Sequence, residues 1–153
     1  MSKDIVIISG GQTGADRAGL DFAINHEIPH GGWCPKGRKS LDGPLDEKYR
    51  LKETPSDDYL QRTEWNVRDS DATVVFTLAE KATGGSAKTL SFARKHKKPF
   101  LHLSQTMLGQ SDKLVRFLEE RGVRRLNVAG SRESKEPGIY DWATKVLEKA
   151  LGK

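Results

Sequence analysis

Short runs of apolar and β-branched residues alternate along the chain with longer segments of helical periodicity. The apolar runs are "IVIIS" (5–9), "GGWCP" (31–35), "ATVVFTL" (72–78), "PFLHL" (99–103) and "RLNVAG" (125–130). The segments between them predict helices over residues 13–26, 59–69, 86–97, 111–121 and 137–151, the last with a proline in its first turn. This alternation is typical of a parallel sheet with helical crossovers.

The strand runs are continuously apolar, which predicts strands covered on both faces. We therefore predict an α/β fold: a three-layer sandwich with a mainly parallel sheet of about five strands in the order 2-1-3-4-5. Residues 1–153 fit one domain. A long stretch without periodicity, residues 34–58, is rich in proline, glycine and charge. Loops of this length in compact domains are usually functional or disordered.

Composition narrows the class of protein. With 35% hydrophobic and 31% charged residues, and no apolar run near the roughly 20 residues of a bilayer span, we expect a soluble protein and no membrane partner. The start of the chain does not resemble a signal peptide, and the single cysteine agrees with a reducing compartment, so we predict the cytoplasm. The net charge of +5 favours anionic partners, but no nucleic-acid-binding module accompanies it, so nucleic acid is not favoured.

Two predicted strands are each followed by glycines and then by a helix. We name residues 10–14, "GGQTG", the first glycine turn and residues 84–86, "GGS", the second glycine turn. Glycines let the backbone approach an anion, and a helix N-terminus offers free N–H groups and a positive dipole end. Both turns follow strands of a parallel sheet, whose carboxyl ends form the ligand-binding edge, so we predict one shared phosphate site. Neither turn matches GxxxxGK[ST] or GxGxxG, which disfavours an ATPase or an ordinary dinucleotide site.

Polar residues near these turns complete the predicted site, and each has a structural alternative. The first turn could be a tight connection capped by Thr13, and the polar face of the helix over 59–69 could point to solvent. Basic residues of the 34–58 loop could be solvated. The candidate binding residues are Gly10, Gly11, Gln12, Thr13, Gly14, Asp16, Lys36, Arg38, Arg62, Asn66, Gly84, Gly85, Ser86, Thr89, Asn127, Gly130, Arg132 and Glu133.

Several standard chemistries find no support in the sequence. The four histidines have no metal-ligand spacing with one another or with Cys34, so no metal site is predicted. No nucleophile elbow occurs, and Cys34 has no paired histidine signature, so nucleophilic catalysis is not predicted either.

Five segments, read together, resemble the molybdenum carrier family: "GGQTGADRAGLDFA", "GGWCPKGRKSLDGPL", "LKETPSDDYLQRTEWNVRDSDATVVF", "TGGSAKTLSFA" and "LNVAGSRESKEPGIY". That family is similar to a Rossmann-like nucleotide-binding group that contains phosphoribohydrolases mislabelled as lysine decarboxylases. The resemblance implies a Rossmann-like domain that carries or stores molybdenum cofactor (molybdopterin) without turnover, or otherwise binds a nucleotide or another phosphate-bearing anion. Apo-molybdoenzymes or cofactor-synthesis proteins would be its partners. We also expect homo-oligomers.

The same resemblance leaves an enzymatic alternative. In the phosphoribohydrolases a catalytic arginine precedes an "SDA" strand entry and a glutamate closes a PGGxGTxxE motif. Arg62 is the counterpart of that arginine, but Ser91 stands at the glutamate position. This departure favours binding over hydrolysis, although Glu64 or Glu133 could replace the glutamate in space. Hydrolysis of an N-glycosidic bond, with Arg62 as the catalytic residue, and a nucleotide-sensing module remain the alternatives.

Overall fold

The computed structural model describes residues 4–152 and has the predicted α/β architecture. Its strands are β1 (Val6–Ile8), β2 (His30–Gly31), β3 (Trp33–Cys34), β4 (Lys52–Glu53), β5 (Ala72–Thr77), β6 (Phe100–Ser104) and β7 (Arg125–Gly130). Its helices are α1 (Ala15–Asn25), α2 (Tyr59–Arg68), α3 (Gly84–Lys95), α4 (Gln110–Arg121) and α5 (Ile139–Leu151). Among residues 4–152, no helix has both the length and the apolar character needed to cross a membrane.

Five parallel strands form the main sheet in the order β2-β1-β7-β5-β6, consistent with a Rossmann-like sandwich. The predicted order 2-1-3-4-5 is therefore wrong, because the last strand lies between the first and the third. That prediction followed the tendency of consecutive strands to be neighbours, and apolar periodicity carries no information on lateral order. The insertion of β7 places the loop after it, residues 131–138, between the two glycine turns.

The predicted second strand is split in two at Gly32. This residue has a φ of 132°, and a Cβ on it would lie 2.9 Å from the backbone nitrogen of Ser9. The chain therefore leaves the main sheet after β2 and pairs β3 with β4 in a separate two-stranded sheet. Residues 34–58 are not an extended loop, because Leu45 and Tyr49 are buried against Leu20 of α1.

Four helices begin at residues other than those predicted, and the smallest difference is in α4, which begins one residue early at Gln110. Helix α1 follows Gly14, so Thr13 is not its cap. Helix α3 begins at Gly84, which places Ser86 inside the first turn. Helix α5 begins after Gly138, beyond the predicted proline.

The two faces of the main sheet differ in polarity. On one face, alternate strand residues such as Val74 and Val128 join α1, α4 and α5 in the large apolar core. On the other face, the intervening positions include Thr73 and Asn127, both buried, beneath α2 and α3. Polar side chains in the middle of buried strands need partners, so this second face is where a polar site can form.

Candidate functional site

A cavity of about 470 Å³ lies above the carboxyl ends of β1, β7 and β5. Helices α2 and α3 and the loop after β7 form its walls, and we name it the main cavity. Its volume lies within the range of small-molecule sites. The lining residues are Gly10, Gln12, Asp16, Tyr59, Leu60, Arg62, Thr63, Asn66, Gly84, Gly85, Ser86, Thr89, Asn127, Ala129, Gly130, Ser131, Arg132, Ser134 and Lys135.

Most of the residues predicted from the sequence line this cavity, and several that were not predicted join them. The additional ones include Tyr59, Thr63 and Lys135. Tyr59 and Thr63 share a helical face with Arg62 and Asn66, so the spacing that selected the last two also pointed to the first two. Lys135 lies in the loop after β7 and had no comparable signal.

The first glycine turn is filled by protein. Gly11, with a φ of 82°, faces the side chains of Leu45 and Leu51, and a Cβ on it would lie 2.8 Å from the former. Gly14, with a φ of 86°, lies against the backbone of Ser131, whose carbonyl accepts the first N–H of α1 at 3.1 Å. The glycines of this turn make room for the side chains of Leu45 and Leu51 and for the backbone that follows β7. The first N–H of α1 already has a partner in that backbone.

A buried ion pair lies beside this turn at the deep end of the main cavity. Arg62 Nη1 contacts Asp16 Oδ2 at 2.9 Å, and the two side chains are 11% and 5% exposed. A Cβ on Gly10 would lie 2.9 Å from Arg62 Cδ, so this glycine makes room for the arginine. Burial raises the pKa of Asp16, and the charge of Arg62 opposes that rise. Burial likewise lowers the pKa of Arg62, against the attraction of Asp16.

Three buried polar atoms of cavity residues have no hydrogen-bond partner within residues 4–152. They are Gln12 Oε1, Arg62 Nε and Ser86 Oγ. Gln12 Nε2 donates to the carbonyl of Lys39 at 2.8 Å, which fixes the amide so that its oxygen is the unpaired atom. Buried polar groups without partners destabilise a fold, so these atoms identify positions that a ligand would satisfy.

The second glycine turn is open. No atom of the described chain lies within 4 Å of a Cβ built on Gly85, and only Lys135 Nζ lies near one on Gly84. The N–H groups of Gly84 and Gly85 donate to no group of the described chain, whereas those of Ser86 and Ala87 donate to the Thr83 carbonyl at 3.2 and 3.4 Å. Lys135 Nζ donates to the carbonyl of Thr83 at 3.0 Å and to its hydroxyl at 2.6 Å, which places a cation at the rim of the turn.

The cavity carries a positive charge. Arg132 stacks over the ring of Tyr59 at 4.3 Å, and Lys39 lies over the same ring at 4.5 Å. Among residues 4–152, no carboxylate lies within 4.0 Å of the Arg132 guanidinium. The lining residues that carry a formal charge are three cations and one carboxylate, namely Arg62, Arg132, Lys135 and Asp16.

Other side chains that line the main cavity form hydrogen bonds within the chain itself. The Asn66 amide accepts from the backbone nitrogen of Trp33 at 2.7 Å and donates to its carbonyl at 2.9 Å, so it holds β3. Thr89 Oγ1 donates to the carbonyl of Gly85 at 2.9 Å. Asn127 Nδ2 donates to Thr73 Oγ1 at 3.2 Å.

Several predicted residues lie outside the main cavity. Lys36 is exposed, and the Arg38 guanidinium donates to loop carbonyls, including that of Tyr49 at 2.7 Å, so it organises its own segment. Glu133 accepts from the backbone nitrogens of Gly138 and Tyr140 and caps α5. Glu133 instead lines a second cavity of about 380 Å³, together with Thr13 and Gly14.

The carboxylates expected to replace the missing glutamate are also placed elsewhere. Glu64 accepts from Lys95 at 2.7 Å and contacts His96 at 2.8 Å, and its hydrogen bond to Lys95 lowers its pKa. Ser91 is exposed on α3. The carboxylate that lines the cavity is Asp16.

Comparison with known proteins gives the family and the fold of the chain. The circularly permutated YpsA SLOG family matches residues 7–151. A solved structure named "Putative molybdenum carrier protein", from Syntrophus aciditrophicus SB, is 47% identical, covers 97% of this chain and 96% of its own, and superposes with a TM-score of 0.93. No curated protein sequence matches the chain. The resemblance inferred from the sequence segments is thereby confirmed.

Proposed function

The chain belongs to the circularly permutated YpsA SLOG family, and on that premise we propose that it binds and carries molybdenum cofactor without turning it over. The name of the solved relative supports a molybdenum-related ligand. The observation that carries the proposal is the second glycine turn, where an open helix N-terminus, a buried unpaired hydroxyl and nearby cations face one cavity.

The phosphate of the cofactor would lie at this turn. The N–H groups of Gly84 and Gly85, at the start of α3, would donate to its oxygens, and Ser86 Oγ would gain the partner that residues 4–152 do not give it. Lys135 and Arg132 would offset its charge from the loop after β7. The excess of cations over carboxylates in the lining favours a ligand of this kind over a neutral one.

The carboxylate in the main cavity, Asp16, favours binding without turnover because it is already engaged by protein groups. Asp16 Oδ2 already accepts from Arg62 and from the backbone nitrogen of Gln12, so one of its oxygens is held. The position of the phosphoribohydrolase glutamate is the exposed Ser91. Delivery of the cofactor would then require contact with apo-molybdoenzymes or cofactor-synthesis proteins. Homo-oligomers, a single domain and a cytoplasmic location stay predictions of the sequence.

Retention of cofactor by matched variants tests this proposal. Protein loaded with molybdenum cofactor is compared as wild type, Ser86→Ala and Ser91→Ala, the last removing an exposed hydroxyl from the same helix. We expect Ser86→Ala to weaken binding roughly tenfold, since one hydrogen bond to a charged group is lost, and Ser91→Ala to bind like wild type. Loaded wild type should protect the cofactor from oxidation and activate an apo-molybdoenzyme. If it protects none, the carrier function is wrong.

Hydrolysis of a nucleoside monophosphate is a second candidate function, favoured by one observation. Asp16 supplies a carboxylate beside Arg62 inside the cavity, which is the pair of groups that the phosphoribohydrolase resemblance requires. Release of free base from a panel of monophosphates, lost in Arg62→Ala, would establish it. No turnover across the panel would eliminate it.

A further inference from the structure

The residues that line the main cavity around the Arg62–Asp16 pair carry unpaired acceptors and an unpaired donor. Gln12 is 1% exposed, and its Oε1 has no partner in residues 4–152. The hydrogen bonds that Asp16 receives within the described chain end on Oδ2, which leaves Oδ1 without one. The unpaired donor is Arg62 Nε, on the residue that pairs with Asp16.

This part of the main cavity does not suit a phosphate. The Asp16 carboxylate would repel a second anion, and protein fills the glycines of the adjacent turn. The second glycine turn, by contrast, offers open backbone and lies near Lys135. A ligand with its phosphate at that turn would therefore turn its uncharged ring toward Gln12 and Asp16.

Two acceptors next to a donor have a specific complement among heterocycles. A ring edge with a 2-amino group, an adjacent ring N–H and a 4-oxo group, as in pterins and guanine, presents two donors beside one acceptor. Adenine presents one amino donor beside a ring-nitrogen acceptor, which would leave Gln12 Oε1 or Asp16 Oδ1 unpaired. We propose that the deep end of the main cavity selects ligands with a 2-amino-4-oxo ring edge, read by Gln12, Asp16 and Arg62.

This inference rests on the proposed function, because it assumes a phosphate at the second glycine turn. A ribose diol would also supply two donors to the same acceptors. Its hydroxyl oxygens can also accept from Arg62 Nε, but the ring edge holds its donors and its acceptor in one rigid plane, and the dideoxy compound described next distinguishes the two.

Binding of four nucleotides to the wild-type chain tests the inference without any substitution. The probes are guanosine monophosphate, inosine monophosphate (no 2-amino group), adenosine monophosphate and 2′,3′-dideoxyguanosine monophosphate (no diol). Calorimetric titration should show guanosine monophosphate binding roughly tenfold or more tightly than the inosine and adenosine compounds, the effect of one hydrogen bond to a charged acceptor. The dideoxy compound should match guanosine monophosphate.

Other outcomes separate this inference from the proposed function. Equal affinities for guanosine and inosine monophosphates overturn the ring-edge assignment and leave phosphate binding intact, and a large loss with the dideoxy compound assigns the acceptors to a diol instead. Failure of guanosine monophosphate to bind, while molybdenum cofactor is retained in a Ser86-dependent manner, also overturns only the ring-edge assignment. Failure of all four nucleotides and of the cofactor overturns both.

One substitution then locates the selectivity. Asp16→Asn should reduce the preference for guanosine over inosine monophosphate to about twofold, because the charged acceptor is lost. Ser91→Ala should keep the full preference. A thermal unfolding curve for Asp16→Asn accompanies the titration, since this substitution also alters the buried pair with Arg62. A folded Asp16→Asn variant with the wild-type preference would contradict the assignment.

Discussion

The first and second glycine turns both carry glycines to the carboxyl edge of the sheet, yet protein fills the first and leaves the second open. In the first turn, Gly11 receives Leu45 and Gly14 receives the backbone of Ser131. In the second, a Cβ added to Gly85 would have no atom of the described chain within 4 Å, and the neighbouring Ser86 hydroxyl is unpaired. Because glycine has no side chain, another group can approach its backbone closely. In the first turn that group is protein, and in the second turn the space is open to a ligand.

The segments that pack over a glycine turn determine whether it is filled by protein or open to a ligand. Residues 34–58 and α2 fold over the first turn and bring Arg62 onto Gly10. No segment of the described chain covers the second turn in this way, and the loop after β7 reaches it through Lys135. The close packing at Gly11 and Gly14 therefore contributes to stability, and the space at Gly85 is available to a ligand, so substitutions of these glycines should affect different measurements.

The largest effect on stability is expected at the ion pair beside the first turn. Arg62→Met should lower the free energy of unfolding by about 3–5 kcal/mol at neutral pH, because it leaves the Asp16 carboxylate buried without a partner. Arg68→Met is the matched control on the same helix, where the pair with Asp69 is solvent-exposed, and it should cost less than about 1 kcal/mol. Urea unfolding at neutral pH measures both.

The stability lost in Arg62→Met should depend on pH. Burial already raises the pKa of Asp16, and removal of Arg62 takes away the charge that opposes this rise. A carboxyl whose pKa is raised on folding contributes stability below its unfolded pKa of about 4, and that contribution is lost as pH rises through the folded value. The deficit of Arg62→Met should therefore shrink on acidification. A deficit that is constant with pH would show that lost packing, not the buried charge, is its cause.

The second largest effect is expected at Gly14 of the first turn, where backbone strain and close packing act together. Gly14→Ala should lose about 3 kcal/mol of stability, since φ is 86° and the new methyl group would meet the Ser131 backbone. Gly37→Ala is the comparison, because Gly37 has a left-handed conformation with a φ of 81° and a ψ of 7°, and no atom of residues 4–152 lies within 4 Å of the added Cβ. It should lose only about 1–2 kcal/mol, the cost of the left-handed conformation. Equal losses in the two variants would contradict a protein-filled first turn.

Local pattern predicted the strands of the main sheet and the five helices, but neither β4 nor the lateral arrangement of the strands. The continuous runs around Val74 and Val128 identified buried strands, and glycines after two strands identified the edge that holds the main cavity. The position of β7 between β1 and β5 depends on which long-range pairings are formed, and a single sequence does not record them.

The sequence predicted most residues of the candidate site, but it did not predict which of them pair with each other and which face a ligand. Arg62 and Asp16 were both singled out, but their pairing joins α2 to α1 across the sheet edge and has no sequence spacing that would reveal it. Arg38 was expected at the ligand because it is basic and next to a glycine. Its guanidinium instead binds carbonyls of its own segment, since residues 39–51 form no helix or strand and their backbone acceptors need other partners.

A smaller effect is expected at the second glycine turn, and on binding instead of folding. Gly85→Ala should leave the free energy of unfolding unchanged or raise it by up to about 1 kcal/mol, because alanine favours a helix and the space is free. Affinity for molybdenum cofactor should fall about tenfold, since the methyl group would hold the phosphate away from the α3 backbone. Thermal unfolding and cofactor titration on one preparation give both values. Unchanged affinity would mean that the phosphate lies elsewhere in the main cavity.

The smallest effect is expected at the exposed brace of the first turn, formed by Arg17 and Asp42. Arg17 Nε donates to the carbonyl of Gly11 at 3.0 Å, and its guanidinium pairs with Asp42 at 3.0 Å. Hydrogen bonds from Arg17 and Ser40 lower the pKa of Asp42, so the pair stabilises the fold above the ordinary carboxyl pKa of about 4 and loses that contribution as pH falls. Because Asp42 is 53% exposed, Asp42→Asn should cost no more than about 0.5 kcal/mol at neutral pH, and the difference from wild type should narrow toward pH 3 in urea unfolding. A loss as large as that of Gly14→Ala would instead mean that this ion pair, and not the packing of loop and strand exit, holds the first turn closed.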